Sequence, residues 1–306
     1  MNDIPSEKLP LSHAIGWIVL SVFLITGSCA LALLYYSHAR DVQRHDPAYQ
    51  IVAIVQTSPE AEGLRTAYLA ELLDLSVDRP TNLYVFNAIA AREALLQSPV
   101  IKEATVRKIR PGTVHIDYTL RKPIAFLGNY ANAALDAEGV IFPIKPFFTP
   151  KRLPEIILGF EESGNADKPQ KFVLWGEALK GKHIELAFAL LEMISQQCCD
   201  EMSVLRSIDV SQAFAPSYGQ RQVVIVLEDR MPRLIEGRPT QNVYPRIIRL
   251  MPDSYQQQLA NYLVLRSHLR KQDKAAAVAD PTEGTIRTKA TVIDMRLSEL
   301  AFISKE

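Results

Sequence analysis

An alternation of hydrophobic and polar residues marks the middle of the chain. From Thr113 to Leu120, every second side chain is apolar, and a period of two is that of a β-strand with one buried face. The segment from Ala104 to Arg107 alternates in the same way, and Arg110-Pro111-Gly112 lies between the two. Because proline and glycine mark turns, we predict a β-hairpin here.

Three further elements are predicted ahead of this hairpin. Tyr49 to Gln56 is rich in β-branched residues and predicts a strand with an available edge. A first helix is predicted from apolar residues at helical spacing, namely Leu64, Tyr68, Leu72 and Leu75. A second helix is predicted from 87 to 97, where Asn87 is suited to be the N-cap and Ile89 and Leu96 would face the core.

The rest of the chain mixes both kinds of element, so the predicted fold class is α+β. Helices are predicted at 184–194, 244–251 and 255–269. Strands are predicted at 172–175, 204–211, 222–227 and in two parts of 290–304. A polar loop is predicted at 161–170, and 272–289 is predicted to be a linker because it is poor in large apolar residues.

A long apolar segment precedes all of these elements. Ala14 to Tyr36 contains no charged residue, and as a helix it would be ~35 Å long, enough to cross a bilayer. The main alternative is a cleavable signal peptide, whose apolar core would be shorter, at roughly 7 to 15 residues, and preceded by several basic residues. Only Lys8 precedes this segment. We therefore predict a single transmembrane helix.

Composition and motifs narrow the function classes. Lys plus Arg and Asp plus Glu both number 34, and this zero net charge argues against a nucleic-acid binder. The six histidines show no metal-ligand spacing, and no Ser-centred elbow or HExxH motif occurs. Cys198 and Cys199 are adjacent, and a disulfide between neighbours is strained. We predict no catalytic residue, metal, cofactor or small-molecule substrate.

The predicted hairpin and its surroundings resemble the POTRA domain of the bacterial cell-division family FtsQ/DivIB. The resemblance rests on an ordered set of residues: Pro99, Val100, Ile101, Ala104, Val106, Lys108, Pro111, Thr113, Ile116, Arg121, Pro123, Ala125 and the turn Asp136 to Gly139 before Val140 and Phe142. Ile-Asp-Met-Arg at 293 to 296 matches the terminal signature of the family. The family usually has a glycine soon after the first strand, where this chain has Thr57-Ser58-Pro59.

The resemblance implies a domain plan and a location. The plan is a cytoplasmic tail at 1–13, a transmembrane helix at 14–36, a stalk at 37–47, a POTRA domain at 48–123 and an FtsQ-type β domain at 124–304 that contains the 272–289 linker. The implied location is the cytoplasmic (inner) membrane, with the N-terminus inside and most of the chain periplasmic. Charge alone does not determine this orientation, because Lys8 lies on one side and Arg40 and Arg44 on the other.

The function implied by the resemblance is that of a non-catalytic scaffold at the division septum. Subunits like FtsB and FtsL would add a strand at a C-terminal sheet edge, and membrane lipid is the other expected partner. The candidate partner-binding residues are Arg221, Val292, Asp294, Arg296, Leu297, Leu300, Phe302 and Ile303. For each residue alone, a place in the domain core is the alternative. Two other functions stay open: a POTRA-bearing component of outer-membrane protein assembly or export, and a membrane-tethered hydrolase.

Overall fold

The computed structural model describes residues 11–59, 62–128, 130–159, 175–235, 238–279, 286–297 and 299–305. The helices are α1 Leu11–His45, α2 Thr66–Leu72, α3 Ala88–Leu96, α4 Lys182–Gln197 and α5 Tyr255–Ala279. The strands are β1 Ala53–Thr57, β2 Ile101–Ile109, β3 Thr113–Leu120, β4 Ala125–Leu127, β5 Ala133–Leu135, β6 Ile141–Pro143, β7 Glu155–Ile157, β8 Ser203–Asp209, β9 Val223–Ile235, β10 Arg238–Leu250, β11 Ile286–Arg287, β12 Thr291–Asp294 and β13 Phe302–Lys305. The predicted loop at 161–170, all but the last residue of the strand predicted at 172–175 and most of the predicted tail at 1–13 lie outside the described residues.

The chain forms two compact units. The N-terminal unit comprises Met1–Gln97 with Glu103–Thr119, and the C-terminal unit comprises Ser98–Lys102 with Leu120–Glu306. Strand β2 therefore contributes residues to both units.

Helix α1 contains the predicted apolar segment and extends beyond it. The part from Ile15 to His45 is long and apolar enough to cross a membrane, and none of the described residues buries its most apolar stretch. The helix continues to His45, so most of the segment 37–47, expected to be a stalk, is helical instead. Asp46 follows the helix, and its side chain accepts a hydrogen bond from the backbone N–H of Ala48 at 2.9 Å. This bond caps a short 3₁₀ turn, Pro47–Tyr49.

The N-terminal unit contains the predicted order of strand, two helices and hairpin. Its three strands form a sheet in the order β1-β3-β2, with β1 parallel to β3. The alternation in β3 gives the expected result, because Val114, Ile116 and Tyr118 are buried. Asn87 caps α3 as predicted, since its Oδ1 accepts hydrogen bonds from the N–H groups of Ile89 at 3.0 Å and Ala90 at 3.3 Å.

The buried faces of the two short helices differ from the prediction. In α3, the core side chains are Ala91 and Leu95, whereas Ile89 is 72% exposed. Residues four apart lie on one side of a helix, so burial of this pair turns Ile89, in the first turn, towards solvent. In α2, Leu69 is the buried residue instead of the predicted Tyr68 and Leu72.

A ten-stranded sheet organises the C-terminal unit. Its order is β13-β12-β10-β9-β8-β7-β4-β5-β6, with β11 paired to β10. Helices α4 and α5 contribute to the core of this unit, through side chains such as Ile184, Leu190 and Ile194 on α4 and Leu259 and Tyr262 on α5. The helix predicted at 184–194 and the strands predicted at 204–211, 222–227 and 290–304 are confirmed, with shifted ends.

The prediction of a helix at 244–251 is wrong, because these residues belong to β10 and the loop after it. The β-branched Ile247 and Ile248 lie opposite Val226 and Ile225 of β9, and such residues pack well in a pleated sheet. Pro245 falls in the interval between the pairings of β10 with β11 and with β12. A proline at this position removes no hydrogen bond to either of those strands.

Helix α5 is longer than predicted. It continues to Ala279 and thereby includes the first part of the segment expected to be a linker. The sequence from Asp273 to Ala279 contains four alanines, the residue with the highest helix propensity. The helix therefore needs few large apolar side chains at this end.

Buried charges connect α5 to the sheet. Asp229 of β9 is fully buried, and Arg246 of β10 places its Nε 3.5 Å from the Asp229 carboxylate. Arg246 also pairs with Asp273 of α5 and donates a hydrogen bond to Thr291 Oγ1 at 3.0 Å. Arg270 of α5 lies 3.2 Å from Asp229. This network holds α5 on the sheet, because separating the two elements would leave buried charges without their counter-charges, which is energetically unfavourable.

Candidate partner-docking edge

One end of the large sheet is an open edge. Strand β12 pairs in parallel with β10 on one side and in antiparallel orientation with β13 on the other. Strand β13 is the last in the order, and none of the residues that the structure describes pairs with its outer side. We call the outer side of β13, Phe302–Lys305, the C-terminal edge. A strand in this position presents backbone N–H and C=O groups to another chain.

The opposite end of the sheet is covered. Beyond β6, the backbone N–H of Ile141 donates to the carbonyl of Glu177 at 3.1 Å, and its own carbonyl accepts from Gly176 at 2.8 Å. Val140 and Ala178 form an isolated antiparallel bridge next to these bonds. The segment Gly176–Ala178 thus occupies the position that an added strand would need at this end.

The apolar candidates at the C-terminal edge are exposed. Phe302 is 58% exposed and Ile303 is 47% exposed, and Leu297 and Leu300 in the connection before β13 are exposed as well. All four residues of β13 are exposed. Val292 differs from the other candidates because it is buried within β12, where it fills the core and is not free to touch a partner.

Asp294 and Arg296 form an ion pair within the chain. The guanidinium Nη2 of Arg296 lies 2.7 Å from Asp294 Oδ2, and Nε donates to Oδ1 at 3.0 Å. The backbone N–H of Arg296 donates to the same carboxylate at 3.1 Å. The hydrogen bonds from Arg296 hold the pKa of Asp294 below its ordinary value. The pair fixes the turn that leads out of β12. Each side chain is therefore engaged by the other in this structure and not by a partner chain.

Arg221 lies near the strand ends at which β13 begins, but it precedes the central strand β9 and not an edge strand. It follows a 3₁₀ turn, Tyr218–Gln220, and directly precedes β9. The register places the start of β9 opposite Leu250, next to the Arg249–Asp294 pairing, and Asp294 lies opposite Phe302. Three strand spacings separate β9 from β13, a distance of about 14 Å. Arg221 Nε donates to the carbonyl of Ala215 at 2.9 Å, so this contact holds the side chain in its own loop.

The sheet pairing also identifies edge residues that sequence reasoning did not name. Ser304 and Lys305 belong to β13 and lie opposite Val292 and Thr291. Both residues follow directly on Phe302 and Ile303 in the chain, so an extended last strand would include them. They are polar, and the apolar pattern that predicts a contact surface does not mark them. Their backbone groups contribute to the C-terminal edge as much as those of Phe302 and Ile303.

A family model for the POTRA domain of the FtsQ type matches residues 63–118. The matched residues contain α2, α3 and β2 and most of β3. The chain therefore contains a POTRA domain of the FtsQ type. This match confirms the resemblance read from the hairpin, and the mixed α+β architecture agrees with the predicted fold class. No curated protein matches the chain.

The FtsQ-type POTRA domain associates the chain with bacterial cell division, and α1 is consistent with the apolar helix of a single-pass membrane protein. The FtsQ-type match ends before the Ile293 to Arg296 signature and before every candidate edge residue. The boundaries of the POTRA domain and the β domain, their location outside the cytoplasm and the binding role of the edge therefore stay predictions.

Burial shifts the pKa values of two further side chains in the C-terminal unit, Cys198 and His183. Burial raises the pKa of the Cys198 thiol to about 11, which disfavours the nucleophilic thiolate. Burial lowers the pKa of His183, whose ring stacks edge-on against Phe214 at 4.9 Å. Among the described residues, no group of three or more His, Cys, Asp or Glu side chains is placed to hold a metal ion.

Proposed function

We propose that the chain is a non-catalytic, membrane-anchored scaffold of the division machinery at the septum. In this role α1 restricts the protein to the cytoplasmic (inner) membrane, with the N-terminus inside and most of the chain in the periplasm. Exposed sheet edges then recruit other single-pass division proteins, and several weak contacts combine into stable attachment because tethering raises their effective concentration.

The observation that carries this proposal is the difference between the two ends of the large sheet. The β6 end is covered by Gly176–Ala178, whereas the β13 end is open and carries Phe302 and Ile303 in exposed positions. Strand addition at such an edge supplies main-chain hydrogen bonds for affinity and side-chain contacts for selectivity. Subunits like FtsB and FtsL are the expected partners.

The chain offers a second edge in the N-terminal unit. Strand β1 ends the three-stranded sheet, and Val52 and Val55 are exposed at or beside it. This edge lies a few residues after α1, so a partner that pairs with it would be held close to the membrane surface. A scaffold with two edges can hold two extended segments at the same time.

Depletion of the protein from growing cells tests the division role. The expected result is long cells without septa, with mass increase continuing at first. Cells that divide normally after depletion would contradict the scaffold role. If septation continues while outer-membrane proteins are lost from the envelope, the alternative role in outer-membrane protein assembly or export is supported instead.

A further inference from the structure

A basic cavity lies where α1 meets the POTRA fold of the N-terminal unit. It has a volume of about 640 Å³, within the range of small-molecule sites. We call it the juxtamembrane pocket, and its lining consists of Arg40, Arg44, Lys108 and the segment Tyr84–Ile89. All of these residues belong to the N-terminal unit.

Three cationic side chains line this pocket. Arg40 and Arg44 lie one helical turn apart on α1, and Lys108 reaches the pocket from β2. Burial lowers the pKa of Lys108, and the positive charge of Arg40 lowers it further. Arg44 Nη1 lies 3.3 Å from Asp41, an exposed residue on the same helix. The pocket therefore holds an excess of positive charge that an anionic ligand would neutralise.

Two hydrogen-bonding atoms of the lining have no partner among the residues that the structure describes. Arg44 Nε and Tyr84 Oη are both buried and accept or donate no hydrogen bond within these residues, a situation that is unfavourable unless a ligand or water satisfies them. The ring of Tyr84 is fixed by Tyr49, edge-on at 5.0 Å, and by the Arg110 guanidinium at 5.6 Å from its centre. Both unpaired atoms can donate, and phosphate oxygens accept such bonds.

The pocket also contains the beginning of α3. Asn87, Ala88 and Ile89 belong to its lining, and the first turn of a helix carries a partial positive charge that favours anions. Asn82 fixes this region to α1, because its Nδ2 donates to the carbonyls of Gln43 and Asp46 at 3.1 Å each. The positive potential of the pocket thus comes from α1, from Lys108 and from the first turn of α3, and the fold holds these three parts together.

The position along α1 indicates which anion reaches the pocket. Arg40 and Arg44 follow the uncharged segment that ends at Tyr36, so they lie ~6 and ~12 Å beyond it along the axis. The headgroup layer is roughly 5 to 8 Å thick on each side of a bilayer, so Arg40 lies within it. Arg44 lies just outside it, at a distance from which a long arginine side chain can reach the lipid phosphates. Val85 and Ile89, in the lining, are 61% and 72% exposed, which suits contact with the glycerol backbone and upper acyl chains of a lipid.

We propose that the juxtamembrane pocket binds the phosphate group of an anionic phospholipid headgroup. Arg40, Arg44 and Lys108 supply the charge, Tyr84 Oη and Arg44 Nε supply the directed donors, and the beginning of α3 adds its dipole. A headgroup held there fixes the angle between α1 and the POTRA fold relative to the membrane. The proposal depends on α1 spanning a bilayer and is independent of the division role.

Native mass spectrometry of the full chain in a neutral detergent tests this site. The probes are phosphatidylglycerol and phosphatidylcholine with identical acyl chains, so that a difference in retention reports the headgroup. We expect preferential retention of phosphatidylglycerol. Each of Arg40→Gln, Arg44→Gln and Lys108→Gln is expected to weaken that binding about fivefold, and the triple variant is expected to lose the preference. Tyr84→Phe, which removes only the hydroxyl, is expected to weaken binding while leaving the melting temperature unchanged.

A triple variant with Arg65, Arg79 and Arg107 changed to Gln is the matched control. It removes the same charge from exposed positions of the same unit that do not line the pocket, and it is expected to keep the preference. Equal retention of the two lipids by the wild type, or equal loss in both triple variants, would overturn the proposal. Displacement of phosphatidylglycerol by an equal concentration of inorganic phosphate would assign the pocket to a soluble anion and would likewise refute the lipid site.

Discussion

Ile303 of β13 lies directly opposite Ile293 of β12 in the antiparallel pairing. Opposed residues share one face of a sheet, yet Ile293 is fully buried whereas Ile303 is about half exposed. The core of the C-terminal unit therefore ends between these two residues. Burial of β12 on both faces keeps it in place, and β13 is the strand that remains accessible to a partner.

This arrangement predicts that Phe302→Asp weakens capture of FtsB- and FtsL-like subunits without unfolding the domain. A charge on an edge strand opposes the addition of another strand, and Phe302 is too exposed to stabilise the core strongly. Co-purification from membranes should recover at least tenfold less partner, while the melting temperature stays within about 2 °C of the wild type.

Val77→Asp is the matched control for the edge variant. Val77 is almost completely exposed and lies in the loop between α2 and α3 of the other unit, so it introduces the same charge away from the C-terminal edge. Unchanged partner recovery with Phe302→Asp, or equal losses with both variants, would argue against docking at β13.

A second prediction concerns the buried charges under α5. Arg246 is only 2% exposed and contacts both Asp229 and Asp273. Arg246→Met keeps the volume but leaves these carboxylates with fewer counter-charges, and we expect the free energy of unfolding of the C-terminal unit to fall by about 3 kcal/mol. Chemical denaturation of the full chain in detergent, monitored by circular dichroism, measures this change.

Arg206→Met provides the comparison. Arg206 pairs with the buried Glu228 at 2.7 Å, but its own side chain is 43% exposed, and Glu228 keeps Arg230 and Arg287 as counter-charges. We therefore expect Arg206→Met to cost about 1 kcal/mol or less. If both variants lose similar, small amounts of stability, the buried ion pairs do not hold α5 on the sheet.

The regular features of both units could be predicted from the sequence because each produces a local pattern. The alternation of β3 and the cap at Asn87 depend on neighbouring residues only, and both are found as expected. The segment 244–251 misled the prediction because the pairing partners that make it a strand, β9 and β12, are distant in sequence. Tertiary pairing decided its conformation, and a single-sequence pattern does not contain that information.

The candidate residues illustrate the same limit. Phe302 and Ile303 are predicted partner contacts because they lie in the last predicted strand, and both side chains are exposed. Val292 has the same kind of side chain in the same stretch of sequence, and only the pairing of β12 between β10 and β13 shows that it is buried. The juxtamembrane pocket left no local pattern, since Arg44, Tyr84 and Lys108 come from three separate segments.

A third prediction concerns pH. The hydrogen bonds from Arg296 lower the pKa of Asp294 from its ordinary value of 3.8, so the unfolded chain takes up this proton at a higher pH than the folded chain does. The stabilisation is therefore fully present above the ordinary value and is lost as the pH falls through the lower, folded value. Melting temperatures from pH 7 to pH 3 should show the wild type above Asp294→Asn at neutral pH, with the difference shrinking below about pH 4.

Arg296→Gln should reproduce this behaviour, because it removes the other half of the same pair. The double variant should be no less stable than the less stable of the two single variants, since neither side chain retains a partner once the other is changed. A difference between wild type and Asp294→Asn that stays constant down to pH 3 would show that the ion pair does not contribute through this carboxylate.

The last prediction compares two adjacent cysteines. Cys198 is buried at the end of α4 and its thiol has a pKa of about 11, whereas Cys199 is half-buried. At pH 8 only about 0.1% of the Cys198 thiols would be ionised even if reagent reached them. Iodoacetamide should therefore alkylate Cys199 in the folded chain and leave Cys198 unmodified until denaturant is added, as measured by peptide mass spectrometry. In Cys199→Ser, modification of Cys198 should follow the unfolding transition of the C-terminal unit, and the peptide that contains the exposed Cys29 is measured separately. Rapid alkylation of Cys198 in the folded wild type would mean that the end of α4 opens readily, which is inconsistent with its place in the core.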